Sequence, residues 1–470
     1  MVITIFLKTY KSAHFYAFMQ IADFHLHSKY SRACSKDLDI KNLEKWGRIK
    51  GIDILGTADY THPKWIVELK SNLKEDPEEK GIYVSAGGQQ FILSTEISLI
   101  YSEGGKGRRI HNVVLAPNFE VVDQITEYLL TKGRIDYDGR PIFKIPCDEF
   151  TYELKKISEE IEIIPAHCLT PWFSIFGSSS GYNTVKDCFK DQTKHIHALE
   201  TGMSADPAMI YRVADWRQYA LVSNSDSHSF WPWRIGREAT LFDMKKISYH
   251  NMIAAIRNKE LSGTVEVDPS YGKYHYTGHR KCHYVTDPAA GMKIGNICPV
   301  CHSKLTVGVQ ARVEELADKP EGYYPEWAPP FYSLVPLSDL ISGFYKYPVA
   351  SKKTWAVYNE LVKNGTTEFG ILLRKPQDEL NKLVDPKLAA IIMKNREGKI
   401  KVKPGFDGVY GIPLIHGDEE YDFDVAGGDD EEKPKKEKPV KELKVKGAKS
   451  AKPISTAKIA ANQAALDKFF

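Results

Sequence analysis

Three things are scarce in this chain of 470 residues: paired cysteine, net charge and long apolar runs. The seven cysteines are Cys34, Cys147, Cys168, Cys188, Cys282, Cys298 and Cys301, an odd number without regular spacing. That argues against a secreted disulfide framework and for a reducing cytoplasm, with three cysteines crowded around one metal site. Charged residues make up 27% of the chain, yet the net charge is only +3. Bulk charge therefore does not argue for nucleic-acid binding, and any phosphate-binding surface must be a local patch. The opening residues are partly apolar, but Lys8 and Lys11 interrupt them. They fall short of the ~20 apolar residues of a spanning helix, and no small-residue cleavage site marks a signal peptide. No membrane partner is expected. Residues 1–18 are set aside as an N-terminal extension, with Met19 as an alternative start.

What is present is a large apolar fraction, 42% of the residues, enough for a sizeable core and more than one domain. Over residues 19–260 short apolar runs (52–56, 91–93, 111–115, 161–164 and 219–222) alternate with helical stretches (40–49, 121–131 and 206–216). That rhythm predicts parallel βα units, closed as a barrel or left as an open sheet. Residues 261–310 break the pattern with aromatics, glycine and a cysteine pair. Residues 311–425 are mixed and partly helical, with helices expected over 353–363 and 379–393. Residues 426–462, dominated by Asp, Glu, Lys, Pro and small side chains, read as a disordered linker.

The polar residues fall at the ends of the apolar runs. His25 and His27 share one face of a strand at period two. Asp59 follows the 52–56 run, with His62 three residues on. Glu96 ends the next strand, His111 lies at the edge of another, His167 follows Ile163-Ile164-Pro165-Ala166, and Asp226 and His228 follow Ala220-Leu221-Val222. Mixed imidazole and carboxylate donors suit Zn, Mn or Fe, and the set exceeds what one tetrahedral ion needs; the active-site ions are expected to be divalent Zn, Mn or Mg. Any one of these histidines could be a hydrogen-bonded core residue, but the ordered conjunction points to two or three clustered ions. Clustered ions suit phosphoryl chemistry.

His25-Leu26-His27-Ser28, Thr57-Ala58-Asp59, Thr95-Glu96, His111, Ala166-His167 and Ser225-Asp226-Ser227-His228 together resemble the successive motifs of the PHP phosphoesterase family. The resemblance implies an α/β fold, a distorted (βα)7 barrel with up to three metals at its mouth. It implies one ion on His25, His27, Glu96 and Asp226, and a neighbour on Glu96, His111 and His167. Asp59 with His228 would hold a third, and Asp226, His228 and Glu96 would form the catalytic group. One departure stands out. The usual adjacent Asp-His pair is here Asp59-Tyr60-Thr61-His62, which leaves Asp59 and His62 as alternatives for the third ion. Asp23 is expected to support ligands, and Cys34 to be a free core thiol.

His279-Arg280-Lys281-Cys282 followed by Cys298-Pro299-Val300-Cys301 reads as a structural zinc knuckle, with His283 and His302 flanking it. The last residues carry Gln463, Leu466, Phe469 and Phe470 in the spacing of the box that docks replication and repair proteins on the sliding clamp PCNA. These features, with Leu305-Thr306-Val307-Gly308-Val309 and Glu314-Glu315-Leu316-Ala317-Asp318, resemble the endonuclease Q family of archaeal DNA repair. That resemblance implies a cytoplasmic, nucleoid-associated enzyme. It would nick DNA on the 5′ side of uracil, hypoxanthine, xanthine or an abasic site and leave a 3′-hydroxyl. Residues 311–425 would then be a DNA-binding helical domain, and Arg234 and Arg237 phosphate contacts. Trp65, Trp172, Phe173 and Trp231 are open between base-pocket wall and core, and the loop 177–181 would lie against DNA. The rival readings are a small-molecule phosphatase and a non-catalytic adaptor tethered to the clamp.

Overall fold

The computed structural model describes residues 19–416, all of which lie in one unit, Met1–Gly427. The extension 1–18, the linker 426–462 and the clamp box at Gln463, Leu466, Phe469 and Phe470 lie outside the described residues. Seven strands carry the site. Met19–Asp23 pairs in parallel with Ile54–Gly56, which pairs in parallel with Gln90–Glu103. Gln90–Glu103 turns back through Gly104 and Gly105, both at positive φ, into the antiparallel strand Lys106–Ala116. That strand pairs antiparallel with Glu162–Pro165. The amide of Cys168 on the carbonyl of Glu200 carries the ladder on to the parallel pair Ala198–Glu200 and Ala220–Val222. A parallel bridge between Leu26 and Ser227 brings the last of these back against the first. The result is a distorted α/β barrel whose strands are buried almost throughout, as sheet covered on both faces requires.

The expectation of uniformly parallel βα units is corrected at one place that matters. Lys106–Ala116 runs against both neighbours, because a two-glycine turn replaces a helical crossover there. Its site-facing end is therefore its beginning, which is why His111 precedes its apolar run while the other donors follow theirs. Two helical expectations also change. Residues 206–216 yield only the short helix Pro207–Ile210 and a single turn at Trp216–Gln218. The 379–393 stretch divides into Gln377–Leu383 and Pro386–Arg396, since the residue before a proline avoids the helical region. Ile40–Lys50 and Lys352–Val362 form close to where their periodicity places them. They are capped by Asp39, which accepts from the Asn42 amide, and by Ser351, which accepts from that of Thr354.

The C-terminal helices are tied to the barrel by buried charge. Lys50, at the end of the first helix, is fully buried and donates to Glu368 (2.7 Å) and to the carbonyl of Pro232 (2.7 Å). Glu368 also accepts from the Tyr358 hydroxyl (2.7 Å) and the Leu337 amide (3.0 Å). Beside this pair Trp46, Trp231 and Trp355 pack with ring centroids 5.4–5.6 Å apart. No helix among the described residues is long and apolar enough to cross a membrane. Glu368→Ala should leave Lys50 buried without its countercharge and cost about 3–5 kcal/mol in denaturant unfolding. The double replacement Lys50→Met with Glu368→Leu should cost much less. Equal losses in the two proteins would contradict this reading.

Candidate metal centre

The donors converge, with Glu96 projecting from within the strand Gln90–Glu103 rather than ending it as expected, because that strand runs on into its hairpin. One carboxylate oxygen of Glu96 faces His111 Nδ1 at 2.5 Å and His167 Nε2 at 3.3 Å. The other faces His25 Nε2 at 3.5 Å, His27 Nε2 at 3.3 Å and Arg140 Nη1 at 3.0 Å. Asp226 completes the second set, with Oδ1 3.0 Å from His27 Nε2 and 3.6 Å from His25 Nε2. His25, His27, Glu96 and Asp226 thus form one donor group, and Glu96, His111 and His167 another, each with donor atoms within 4.8 Å of one another. Glu96 belongs to both. Asp59, His167 and Asp226 all have positive φ (39°, 31° and 46°), a conformation non-glycine residues hold only when their surroundings force it, and one that clusters at functional sites.

The remaining ring nitrogens are held from behind, which aims the first. His25 Nδ1 meets Glu200 at 3.0 Å, and Glu200 also accepts from the His167 amide (2.7 Å) and the Asn224 side chain (2.8 Å). His27 Nδ1 lies 3.4 Å from Asp59 and 3.3 Å from the Ser31 hydroxyl. His167 Nδ1 meets the Thr170 hydroxyl at 3.1 Å. Such backing fixes tautomer and ring orientation in metal sites. Burial opposes charge on these groups, but the neighbours prevail. Glu200, Glu96 and Asp226 hold His25 well above the usual histidine range, and hydrogen bonds to Asp226, Asp59 and Glu96 push His27 up to about 10. Glu96 and Asp226 lie well below the usual carboxylate range, Glu96 through His111, Arg140 and His25, and Asp226 through His228, His25 and His27. His25 Nε2 and His111 Nδ1 are buried against carboxylates without a hydrogen bond to them. That arrangement, with this donor set, fits divalent cations joining the groups.

A cavity of about 680 Å³ opens over His111, His167 and Asp226. Arg32, Arg109, Arg140, Arg237 and Lys273 reach it, and Trp172, Phe173, Tyr274 and Tyr410 wall it. Arg237 is buried, with two donors on the Ser225 carbonyl at 3.0 and 2.8 Å. Arg234 and Lys273 lie 4.9 and 4.7 Å from the Tyr410 ring centre. Burial would raise the Tyr410 phenol, but Arg237, Arg234 and Lys273 bring it down to about 8. Farther along the chain, His279, Cys282, Cys298 and Cys301 gather their donor atoms within 4.8 Å. The hairpin of Thr277–His279 with Tyr284–Thr286 supplies the first pair, and a tight turn closed by the His302 amide on Cys298 supplies the second. The Ser303 amide and hydroxyl draw the Cys301 thiol down to about 6, which favours the thiolate a zinc ion requires.

Two solved structures share this arrangement of the chain. The lesion-specific endonuclease PfuEndoQ of Pyrococcus furiosus is 28% identical, with a TM-score of 0.75 over 84% of this chain and 95% of its own. Endonuclease Q in complex with a 27-mer duplex carrying an abasic lesion at the active site is 28% identical, with a TM-score of 0.76 over 84% and 96%. The chain is a structural relative of endonuclease Q. Residues 336–399 match the family described as the MJ0043 C-terminal domain. The uncharacterized protein MJ0043 of Methanocaldococcus jannaschii is 32% identical over 289 residues, 59% of this chain. The match spans 34% of the length of that protein. The uncharacterized protein YqxK of Bacillus subtilis is 28% identical over 411 residues, 83% of this chain and 98% of its own.

In this endonuclease Q relative the structure brings together His25, His27, Glu96, His111, His167 and Asp226, and separately the four knuckle residues. Asp59 and His228 join no donor group among the described residues. Asp59 accepts from the Ser28 amide (2.7 Å) and the hydroxyls of Ser28 (2.6 Å) and Ser31 (2.8 Å). His228 Nδ1 lies 3.0 Å from the backbone carbonyl of Asp226. His62 stacks on Tyr30 at 4.4 Å. Asp23 accepts from the amides of Ser225 and Gly236 and pins the loop that bears Asp226. Trp65 is core, its indole donating to the Thr57 carbonyl, and Trp231 belongs to the tryptophan cluster, so Trp172 and Phe173 alone of the four aromatics reach the cavity. Ser178 of the 177–181 loop donates to the Val307 carbonyl (3.1 Å). Sequence reasoning missed Glu200 and Arg140. Glu200 ends a strand of three residues, and the same strand-end rule that marked Glu96 would have found it had that strand been recognised.

Three outcomes follow from this geometry. A divalent ion must displace the His27 proton, whose pKa is raised to about 10, so metal affinity should rise with pH throughout the range below that value. Calorimetry in buffers of different ionisation enthalpy should register proton release, and a pH-independent affinity would contradict the assignment. Glu200→Gln should weaken metal binding ~10–100-fold while the fold persists. Cys298→Ser should lower bound zinc by one equivalent in elemental analysis and leave the barrel's metal content intact.

Proposed function

We propose that the chain is a metal-dependent DNA repair endonuclease. It hydrolyses the phosphodiester on the 5′ side of a deaminated base (uracil, hypoxanthine or xanthine) or an abasic site and leaves a 3′-hydroxyl. One observation carries the reading: Glu96 presents one oxygen to each of two donor groups, whose members His111, His167 and Asp226 open onto a cavity lined also by arginine and lysine. His25, His27, Glu96 and Asp226 would hold one ion, and Glu96, His111 and His167 its neighbour. Bound there, divalent ions supply an activated water and neutralise charge on the phosphate. The chain's own residues do the rest. Glu200 and Asp59 orient His25 and His27. Burial and the neighbouring His27 hold His228 down to about 4, so it serves as an uncharged imidazole beside Asp226. Arg234, Arg237 and Lys273 bind flanking phosphates through charge-assisted contacts.

Duplex stacking hides a damaged base, so the reading requires its extrusion. Trp172 and Tyr274, with ring centres 5.9 Å apart, and Phe173 against His111 (4.7 Å) offer the aromatic wall for it. The likeness to endonuclease Q bound to an abasic duplex supports DNA as substrate. His279, Cys282, Cys298 and Cys301 would hold a structural zinc with no open position, and residues 311–425 would help grip the duplex. Gln463, Leu466, Phe469 and Phe470 would dock on PCNA, and the 426–462 linker would raise the enzyme's effective concentration there. Such an enzyme would work on the nucleoid in the cytoplasm.

The test is a labelled duplex with one deoxyuridine, deoxyinosine or abasic site, incubated with Mg, Mn or Zn. A single nick 5′ of the lesion is expected, lost ~10³-fold or more in Asp226→Ala. Phosphate release from small esters alone would favour a phosphatase. Binding without cleavage, unchanged in Asp226→Ala, would favour an adaptor.

A further inference from the structure

The loop that covers Asp59 also delivers a cation to the metal centre. A Cβ on Gly139 would stand 2.1 Å from Asp59 Oδ2, so the backbone there lies directly on the carboxylate. The loop is fastened on both sides: the Gly139 amide donates to the Tyr30 carbonyl (3.1 Å), and the Ser98 amide to the Pro141 carbonyl (3.1 Å). Asp138 accepts from the amides of Arg32 (3.3 Å) and Arg140 (3.2 Å). Between these anchors Arg140 extends Nη1 to Glu96 at 3.0 Å, within electrostatic reach of Asp226, and lines the cavity with His111, His167 and Asp226. Among the described cations lining the cavity, Arg140 is the one in an ion pair with a carboxylate of the donor groups. Arg32 pairs with Asp138, Arg109 lies over Phe173, Arg237 holds the Ser225 carbonyl, and Lys273 packs on Tyr410. Asp59 and His228, the expected donors of a third ion, join neither donor group among the described residues; Asp59 accepts from Ser28 and Ser31, and His228 Nδ1 faces the Asp226 carbonyl.

We propose that Arg140 takes the part of a third cation, its guanidinium binding a non-bridging oxygen of the scissile phosphodiester. A planar fork held beside the reacting centre suits that oxygen and stabilises charge developing on it. In the reaction an oxygen–phosphorus bond forms from water and the bond to the 3′ oxygen breaks. The water loses a proton and the departing oxygen gains one, and Arg140 transfers none. The proposal rests on the nuclease reading above.

The test compares wild type, Arg140→Lys and Arg140→Met in single-turnover cleavage of a deoxyuridine duplex, with bound metal measured on the same samples. Arg140→Met should be ~10²–10³-fold slower at unchanged metal content, and Arg140→Lys should recover part of the rate. Sulfur at one of the two non-bridging oxygens of the scissile linkage should slow wild type and add nothing in Arg140→Met. A variant that loses metal in step with activity would make Arg140 a holder of Glu96 only and overturn the proposal, as would Arg140→Met cutting at the wild-type rate. If wild type itself cuts no lesion duplex with any of the metals, the nuclease reading fails, and this proposal falls with it.

Discussion

Glu96 stands between two sets of imidazoles with one oxygen turned to each, and the rest of the barrel is arranged around that sharing. A buried carboxylate is tolerable only if compensated. Here Arg140 and His25 compensate it, and His111, which burial holds down to about 4, faces it at 2.5 Å; each of these comes from a different part of the chain. His25 is in turn aimed by Glu200, and Glu200 is held by the His167 amide and Asn224. Asn224 also accepts from the Phe24 amide (2.7 Å), which returns the network to its first strand. The donors belong to one closed set of contacts, so orientation at the centre is a property of the whole ladder.

Much of this was legible in the sequence, for a physical reason. A buried strand must be apolar, so His25, His27, Glu96, His167 and Asp226 at the ends of such runs advertise themselves. The cluster of His279, Cys282, Cys298 and Cys301 was legible because thiols and an imidazole at that spacing suit one tetrahedral ion. What stayed hidden was whatever depends on pairing between distant segments. Nothing local says that Lys106–Ala116 runs antiparallel, although Gly104-Gly105 hinted at the tight return. Glu200 sits on a strand too short to show a period. Arg140 lies in a loop whose position is set by contacts to Tyr30, Arg32 and Ser98, and no pattern in its own neighbours could reveal them.

The C-terminal helices gain their place by charge as well as by packing. Lys50 and Glu368 are 318 positions apart and meet with almost no solvent access. The Pro232 carbonyl that Lys50 also holds lies six positions beyond Asp226. The same contact that fixes the distal helices therefore steadies the loop behind a principal acid of the centre, and Trp231 reinforces it against Trp46 and Trp355. Damage to this remote joint would reach the chemistry without touching a ligand.

The left-handed backbone at Asp59, His167 and Asp226 has a consequence for how such a chain changes over time. Glycine would relax each of these positions, and would at once delete His167 or Asp226 from the cavity lining or Asp59 from behind His27. At these three places the drift that would make the chain sturdier is the drift that would silence it. A lineage released from the need for the reaction would be expected to slide toward a more robust, inert scaffold, and keeping the side chains means holding the backbone under tension in every generation.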